Sequence, residues 1–112
     1  MIIMKFTPTS YAELSIKMFE ELKVRIAPMM ASIKGELQKA DPADRDEIVM
    51  KHVLVLKKRV DEESMPKGVS IDDLMAYEKS AKADIGKYFK AHPEILERIK
   101  KLDHDVKEAM RT

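Results

Sequence analysis

DPADRDEIVMKHVLVLKKRV, residues 41–60, decides the fold class, because it holds the one run in the chain that could be read as a strand. Val53-Leu54-Val55-Leu56 is apolar and partly β-branched, and taken alone it suits a buried strand. What precedes it argues the other way. Asp41 is a good N-cap residue, Pro42 brings a preset φ to the first helical position, and Asp44, Asp46 and Glu47 favour the positive end of a helix dipole. Glu47 and Lys51 stand four apart in the favourable acid-to-base order. No second run of comparable quality is present to pair with a strand here. The segment therefore reads as a helix over 42–63. On its wheel Val49, Val53, Leu56 and Val60 form one stripe, with Met50 and Leu54 on one flank and Ile48 and Val55 on the other. A helix so apolar all round is either central in a bundle or part of an interface.

The same signals continue in both directions. Seven acid-to-base pairs at i, i+4 are spread along the chain: Glu13/Lys17, Glu21/Arg25, Glu47/Lys51, Glu78/Lys82, Glu94/Arg98, Glu97/Lys101 and Asp103/Lys107. Upstream, Thr7, Thr9 and Ser10 offer capping hydroxyls for a first helix that starts near Ser10 and runs to about residue 39. Tyr11, Leu14, Met18, Phe19, Leu22, Ile26, Met29, Met30, Ile33 and Leu37 share one broad face of it. Pro28 lies opposite that face, so the spacing predicts one long helix kinked at Pro28, with a break at Ala27 as the alternative.

Downstream, Ser64-Met65-Pro66-Lys67-Gly68 is a loop, and Ser70 with Asp73 makes a capping box that Val69 and Leu74 can staple. The third helix is expected over 71–91, burying Leu74, Tyr77, Ala81, Ile85 and Tyr88, and stopping because His92 precedes Pro93. The fourth, over 93–110, carries Ile95, Leu96, Ile99, Leu102, Val106 and Met110 on one stripe. The expected architecture is all-α, a single compact four-helix bundle over residues 1–112 with 1–9 as a short N-terminal extension.

Composition sets the outer bounds. With 112 residues, 37% of them charged and 45% apolar, the chain can bury one modest core, and disorder or a membrane-spanning chain is disfavoured. A formal net charge of +1 gives no global attraction to nucleic acid or an anionic bilayer. The absence of Cys removes disulfides, thiolate metal sites and Cys nucleophiles. The start, Met1-Ile2-Ile3-Met4-Lys5-Phe6, is too short for a signal-peptide core and is interrupted by Lys5 and Pro8, so a cytoplasmic protein is expected, with Met4 as an alternative start. Asn and Trp are absent and Gln occurs once, at Gln38, a bias associated with hot environments.

Candidate chemistry is sparse. A di-iron bundle needs Glu three residues before His, whereas Val49, Phe89 and Lys101 precede His52, His92 and His104. Asp41, Asp44 and Asp46 lack calcium-loop spacing and read as first-turn acids, and His104 lies on a polar face between Asp103 and Asp105. No nucleophile–base pair and no phosphate-cradling glycine loop is present. The expectation is a non-enzyme with no metal and no cofactor.

Arg45 precedes His52 by seven positions, and Arg98 precedes His104 by six. This resembles the Arg-x4-6-His element of the HEPN family of small, all-helical, dimeric, metal-independent ribonucleases, over eight residues. The resemblance implies a phosphate-binding role for Arg45 and proton transfer by His52 across a dimer seam.

Two surfaces remain as candidates. Lys79, Lys82, Lys87 and Lys90 fall on one side of the third helix, with Ala76, Ala83 and Gly86 between them, and could admit a phosphate backbone. Lys57-Lys58-Arg59 is screened by Asp61-Glu62-Glu63. Nine methionines give soft apolar surface, and Met50 and Met75 lie off their main stripes. The preferred expectation is a helical interaction module, a homodimeric regulator or assembly subunit, with Ile48, Met50, Leu54, Val55 and Met75 at its interface. Nucleic-acid binding through the four lysines is the alternative.

Overall fold

The computed structural model describes residues 6–111, and these are all-helical. Six α-helices follow in order: α1 Pro8–Ser32, α2 Lys34–Lys39, α3 Arg45–Ser64, α4 Ile71–Ser80, α5 Lys82–Ala91 and α6 Pro93–Ala109. The expected count of four is therefore replaced by six, because two of the expected helices are each interrupted at one residue. Residues 52–56 lie within α3 and are helical, although the helix starts at Arg45 and not at Pro42 as expected. Residues 1–5, including Met4, lie outside the described residues.

The interruptions share one local cause. In α1 the break falls at Ile33 (φ −98°, ψ 3°), not at Pro28, which sits exposed inside the helix. Ser32 Oγ donates to the Met29 carbonyl at 2.6 Å, and the Ile33 N–H donates to the same oxygen at 3.2 Å. At Ala81 (φ −107°, ψ 18°) the pattern repeats, with Ser80 Oγ and the Ala81 N–H both donating to the Tyr77 carbonyl. A serine hydroxyl that competes for a helical carbonyl loosens the turn and bends the axis. Both break residues are buried, so the bend turns the next segment back toward the core. Pro28 is tolerated because its missing bond would fall at Val24, on the exposed side of α1 where water can serve.

The helix starts follow the chemistry of their sequences. Thr7 caps α1 and Ser10 reciprocates, so the helix begins two residues earlier than expected, with Pro8 at its first position. Ser70 and Asp73 close the capping box on α4 at 3.1 and 2.9 Å, and Val69 packs in the same cluster as Leu74. Asp41 makes no side-chain cap; its carbonyl instead closes a 3₁₀ turn over Pro42–Asp44 that leads into α3. Gly68, at φ +81°, supplies the left-handed residue of the loop between α3 and α4.

Packing is organised around α1. It contacts α3 and α6 extensively and also meets α5, while no comparable contact joins α3 to α6. One core joins Leu22, Ile26 and Ile33 to Leu37, to Val49, Val53 and Val60 of α3, and to Val106 of α6. A second joins Phe6, Leu14, Leu74, Tyr77 and Ala81, with Met18 touching both. Phe6, placed by sequence in a short extension, is buried against Tyr77 at a ring separation of 5.5 Å. The shape is not the compact bundle expected. The molecule measures 54 × 29 × 22 Å with a radius of gyration of 16.3 Å, against about 13 Å for a compact chain of this size.

Ile26 is fully buried at the centre of the larger core, whereas Val24, two residues earlier on α1, faces solvent. Ile26→Ala is expected to cost about 2–5 kcal/mol and Val24→Ala less than about 0.5 kcal/mol, as measured by urea unfolding.

Candidate functional site

The far side of α3 is built by the same residues that made its sequence ambiguous. Val49, Val53 and Val60 are buried against α1, with Leu56 half-buried beside them, so the apolar stripe is fully used on one neighbour. Helix α3 is thus peripheral, and the central position belongs to α1. Met50, Leu54 and Val55 remain 45%, 60% and 59% exposed. Ile48, expected at an interface, instead packs half-buried against the larger core. Met75 is exposed on α4, away from the other candidates in the chain. Val24 was missed by sequence reasoning, although an isolated valine on the polar side of α1 was the available signal.

Arg45 and His52 each bond to α2. Arg45 Nε donates to the Leu37 carbonyl at 3.1 Å, and His52 Nε2 lies 3.0 Å from Glu36 Oε1. The shallow hollow beside Arg45 is lined by Met30, Lys34, Leu37 and Gln38 and does not include His52. Arg98 pairs with Glu20 of α1, and His104 stands 3.9 Å from Glu108 on the surface of α6. His92 stacks on Tyr88 at 4.4 Å between α5 and α6. Among the described residues no group of three or more His, Asp or Glu side chains could hold a metal ion. No helix among them is long and apolar enough to cross a membrane.

Lys79, Lys82, Lys87 and Lys90 are exposed on α4 and α5, and among the described residues none of them has an ion-pair partner. The break at Ala81 leaves the i to i+4 bonds Ala81–Tyr77 and Ile85–Ala81 in place, so the four stay on the side away from Leu74, Tyr77 and Ile85. Other cations are engaged: Lys23 with Asp105, Arg25 with Glu63 and Glu21, and Lys57 with Asp61.

A feature the sequence did not reveal is a cleft between α3 and α4 on the surface of α1. Met18, Phe19, Leu22 and Leu74 line it, with Lys57 and Asp61 on one wall and Tyr11 and Glu78 on the other. Its volume is about 160 Å³, below the roughly 300–1,000 Å³ of small-molecule sites and closer to the size of one side chain. The Tyr11 hydroxyl donates to Glu78 Oε1 at 3.0 Å. Burial, and then the bond to the Glu78 carboxylate, push its pKa up to about 12 from the ordinary 10.0. Burial also raises Tyr77 next to it. Tertiary assembly alone creates the cleft, since its walls come from three helices, α1, α3 and α4.

Comparison with protein-family models, with curated proteins and with solved structures gives no match for this chain.

A tyrosine whose folded pKa is raised stabilises the fold fully below pH 10 and loses that contribution as pH climbs toward 12. Urea stability is therefore expected to fall between pH 10 and 12, and Tyr11→Phe should flatten that fall while lowering stability near neutrality through loss of the bond to Glu78. Absorbance of the phenolate checks the assignment, with a tyrosine that ionises near pH 12 in the wild type and is missing from the variant.

Proposed function

We propose that this chain is a helical protein–protein interaction module, a small regulator or assembly subunit, whose contact surface is the outer face of α3. The observation that carries the reading is the exposure of Met50, Leu54 and Val55 on a helix whose core stripe is already occupied by α1. Fully burying such side chains from water contributes about 1.5–3 kcal/mol each, and these three, already half covered, would contribute about half that apiece. The module acts by binding and not by catalysis. Support for this comes from Arg45 and His52, one of the two pairs that carry the family resemblance, which are each engaged by α2, the hollow beside Arg45 not reaching His52.

A second reading rests on the unpaired lysines. Lys79, Lys82, Lys87 and Lys90 form an exposed cationic face with small neighbours at Ala76, Ala83 and Gly86, suited to the phosphate backbone of a nucleic acid. Tyr88 and Phe89, between Lys87 and Lys90, are half-buried and pack on each other, so this reading rests on phosphate contacts and is sequence-independent.

Light scattering at tens of micromolar is expected to give a mass above the 12.9 kDa of one chain, falling to the monomer value in Leu54→Asp with helical circular dichroism unchanged. A strict monomer indifferent to Leu54→Asp would remove the α3 reading. For the second reading, wild type should bind RNA or DNA at about 50 mM salt and lose binding when all four lysines become Glu. Absence of any affinity in the wild type would remove it.

A further inference from the structure

The outward line of α3 carries a charge pattern that selects a partner. At 100° per residue, the sector farthest from the Val49, Val53 and Val60 stripe holds Glu47, Lys51, Leu54 and Lys58 in turn, with Glu62 continuing the line toward the C-terminal end of the helix. All four are exposed, and their spacing of four, three and four is that of a seam between two packed helices. Met50 flanks the line on one side and Val55 on the other. Glu47 stands near the N-terminal end of the helix and Lys58 toward its C-terminal end. Among the described residues neither has an ion-pair partner within the chain.

We propose that the partner is a second copy of this chain, docked antiparallel along α3 about a two-fold axis between His52 and Val53, so that Glu47 of each copy faces Lys58 of the other. This rests on the reading of α3 as the contact face and adds its occupant and register. In this register Lys51 is level with Leu54 of the second copy, so its aliphatic stem lies over the leucine while the ammonium reaches water. A two-fold contact makes every such pair twice. Competing arrangements are poorer. A parallel pairing sets Glu47 against Glu47 and Lys58 against Lys58. An antiparallel pairing shifted to an axis between Leu54 and Val55 sets Lys51 against Lys58 and Glu47 against Glu62, and like charges brought together oppose association. Shifting further, to match Lys51 with Glu62, carries Glu47 beyond the end of the paired helices and leaves Met50 at the edge of the overlap, opposite Glu63.

Charge reversal on the full chain tests both the partner and the register. Sedimentation equilibrium at low salt should show a wild-type dimer, with Glu47→Lys and Lys58→Glu each weakening it by about tenfold. The double variant should recover wild-type affinity. A mixture of the two single variants should form a heterodimer tighter than either homodimer, because both Glu–Lys contacts are then restored. Dissociation by Leu54→Asp with no response to the reversals would overturn the register while leaving the α3 contact face standing. A wild-type monomer at about 100 μM, or a dimer indifferent to all these changes, would overturn both.

Discussion

Burial of one broad sector of α1 is the constraint on which the rest of the structure depends. Ile26, without exposed surface, lies in the core where residues of α1, α2, α3 and α6 meet. A single helix that must cover apolar residues across about half of its circumference cannot do so with one neighbour. Helices α3 and α6 therefore take different parts of that sector, and neither packs substantially on the other. The result is a set of helices laid along a rod, not gathered around a common axis, and this accounts for the 54 Å length. It also leaves α3 with one covered face. An open outer face on α3 is thus a consequence of α1 being the shared wall.

Charges orient this arrangement more than they stabilise it. Lys23 reaches Asp105 and Glu20 reaches Arg98 to align α6, while Arg25 reaches Glu63 to align α3. These pairs are solvent-exposed, where such contacts contribute roughly 0–1 kcal/mol. The Lys23 ammonium nonetheless holds the Asp105 carboxyl below the usual carboxylate range. Of the acid-to-base pairs that marked the chain as helical, Glu21/Arg25 and Asp103/Lys107 close within 4 Å. Several of the other acids serve different partners: Glu78 accepts from Tyr11, Glu94 lies near His92, and Glu97 meets Lys100. The pattern reported secondary structure correctly without reporting the contacts, because i, i+4 spacing creates the opportunity and tertiary neighbours decide who takes it.

The fold class was legible because helix starts are written in short-range chemistry. Ser70 with Asp73, Thr7 with Ser10 and Pro93 after His92 all fix termini through groups within three residues of one another. The breaks at Ile33 and Ala81 escaped reading for a physical reason. Pro28 is the stronger breaker in isolation, yet its lost bond falls on the exposed side, whereas Ser32 and Ser80 compete for carbonyls beside a buried residue. Periodicity names the buried face of a helix and is silent about which helix covers it. Hence α3 could be recognised as too apolar, while its peripheral position, the capture of Ile48 by the core and the cleft at Tyr11 and Glu78 required the assembled chain.

The chemistry of the α3 outer face also bounds the strength of what it can bind. Its apolar side chains are three in number, already half covered, and separated by Lys51 and Lys58. Specific, stable interfaces bury about 800 Å² per partner around a continuous apolar centre, and one helix face with interleaved lysines offers less. Those lysines work against docking on an arbitrary apolar surface, since an ammonium that cannot reach water or an acid there would have to be desolvated. An acidic residue at the matching level, such as Glu47 on an antiparallel α3, removes that obstacle. In the proposed contact, selectivity would come from charge and affinity from Met50, Leu54 and Val55. Such a division suits a contact that responds to concentration and ionic strength, and it does not suit a permanently assembled core.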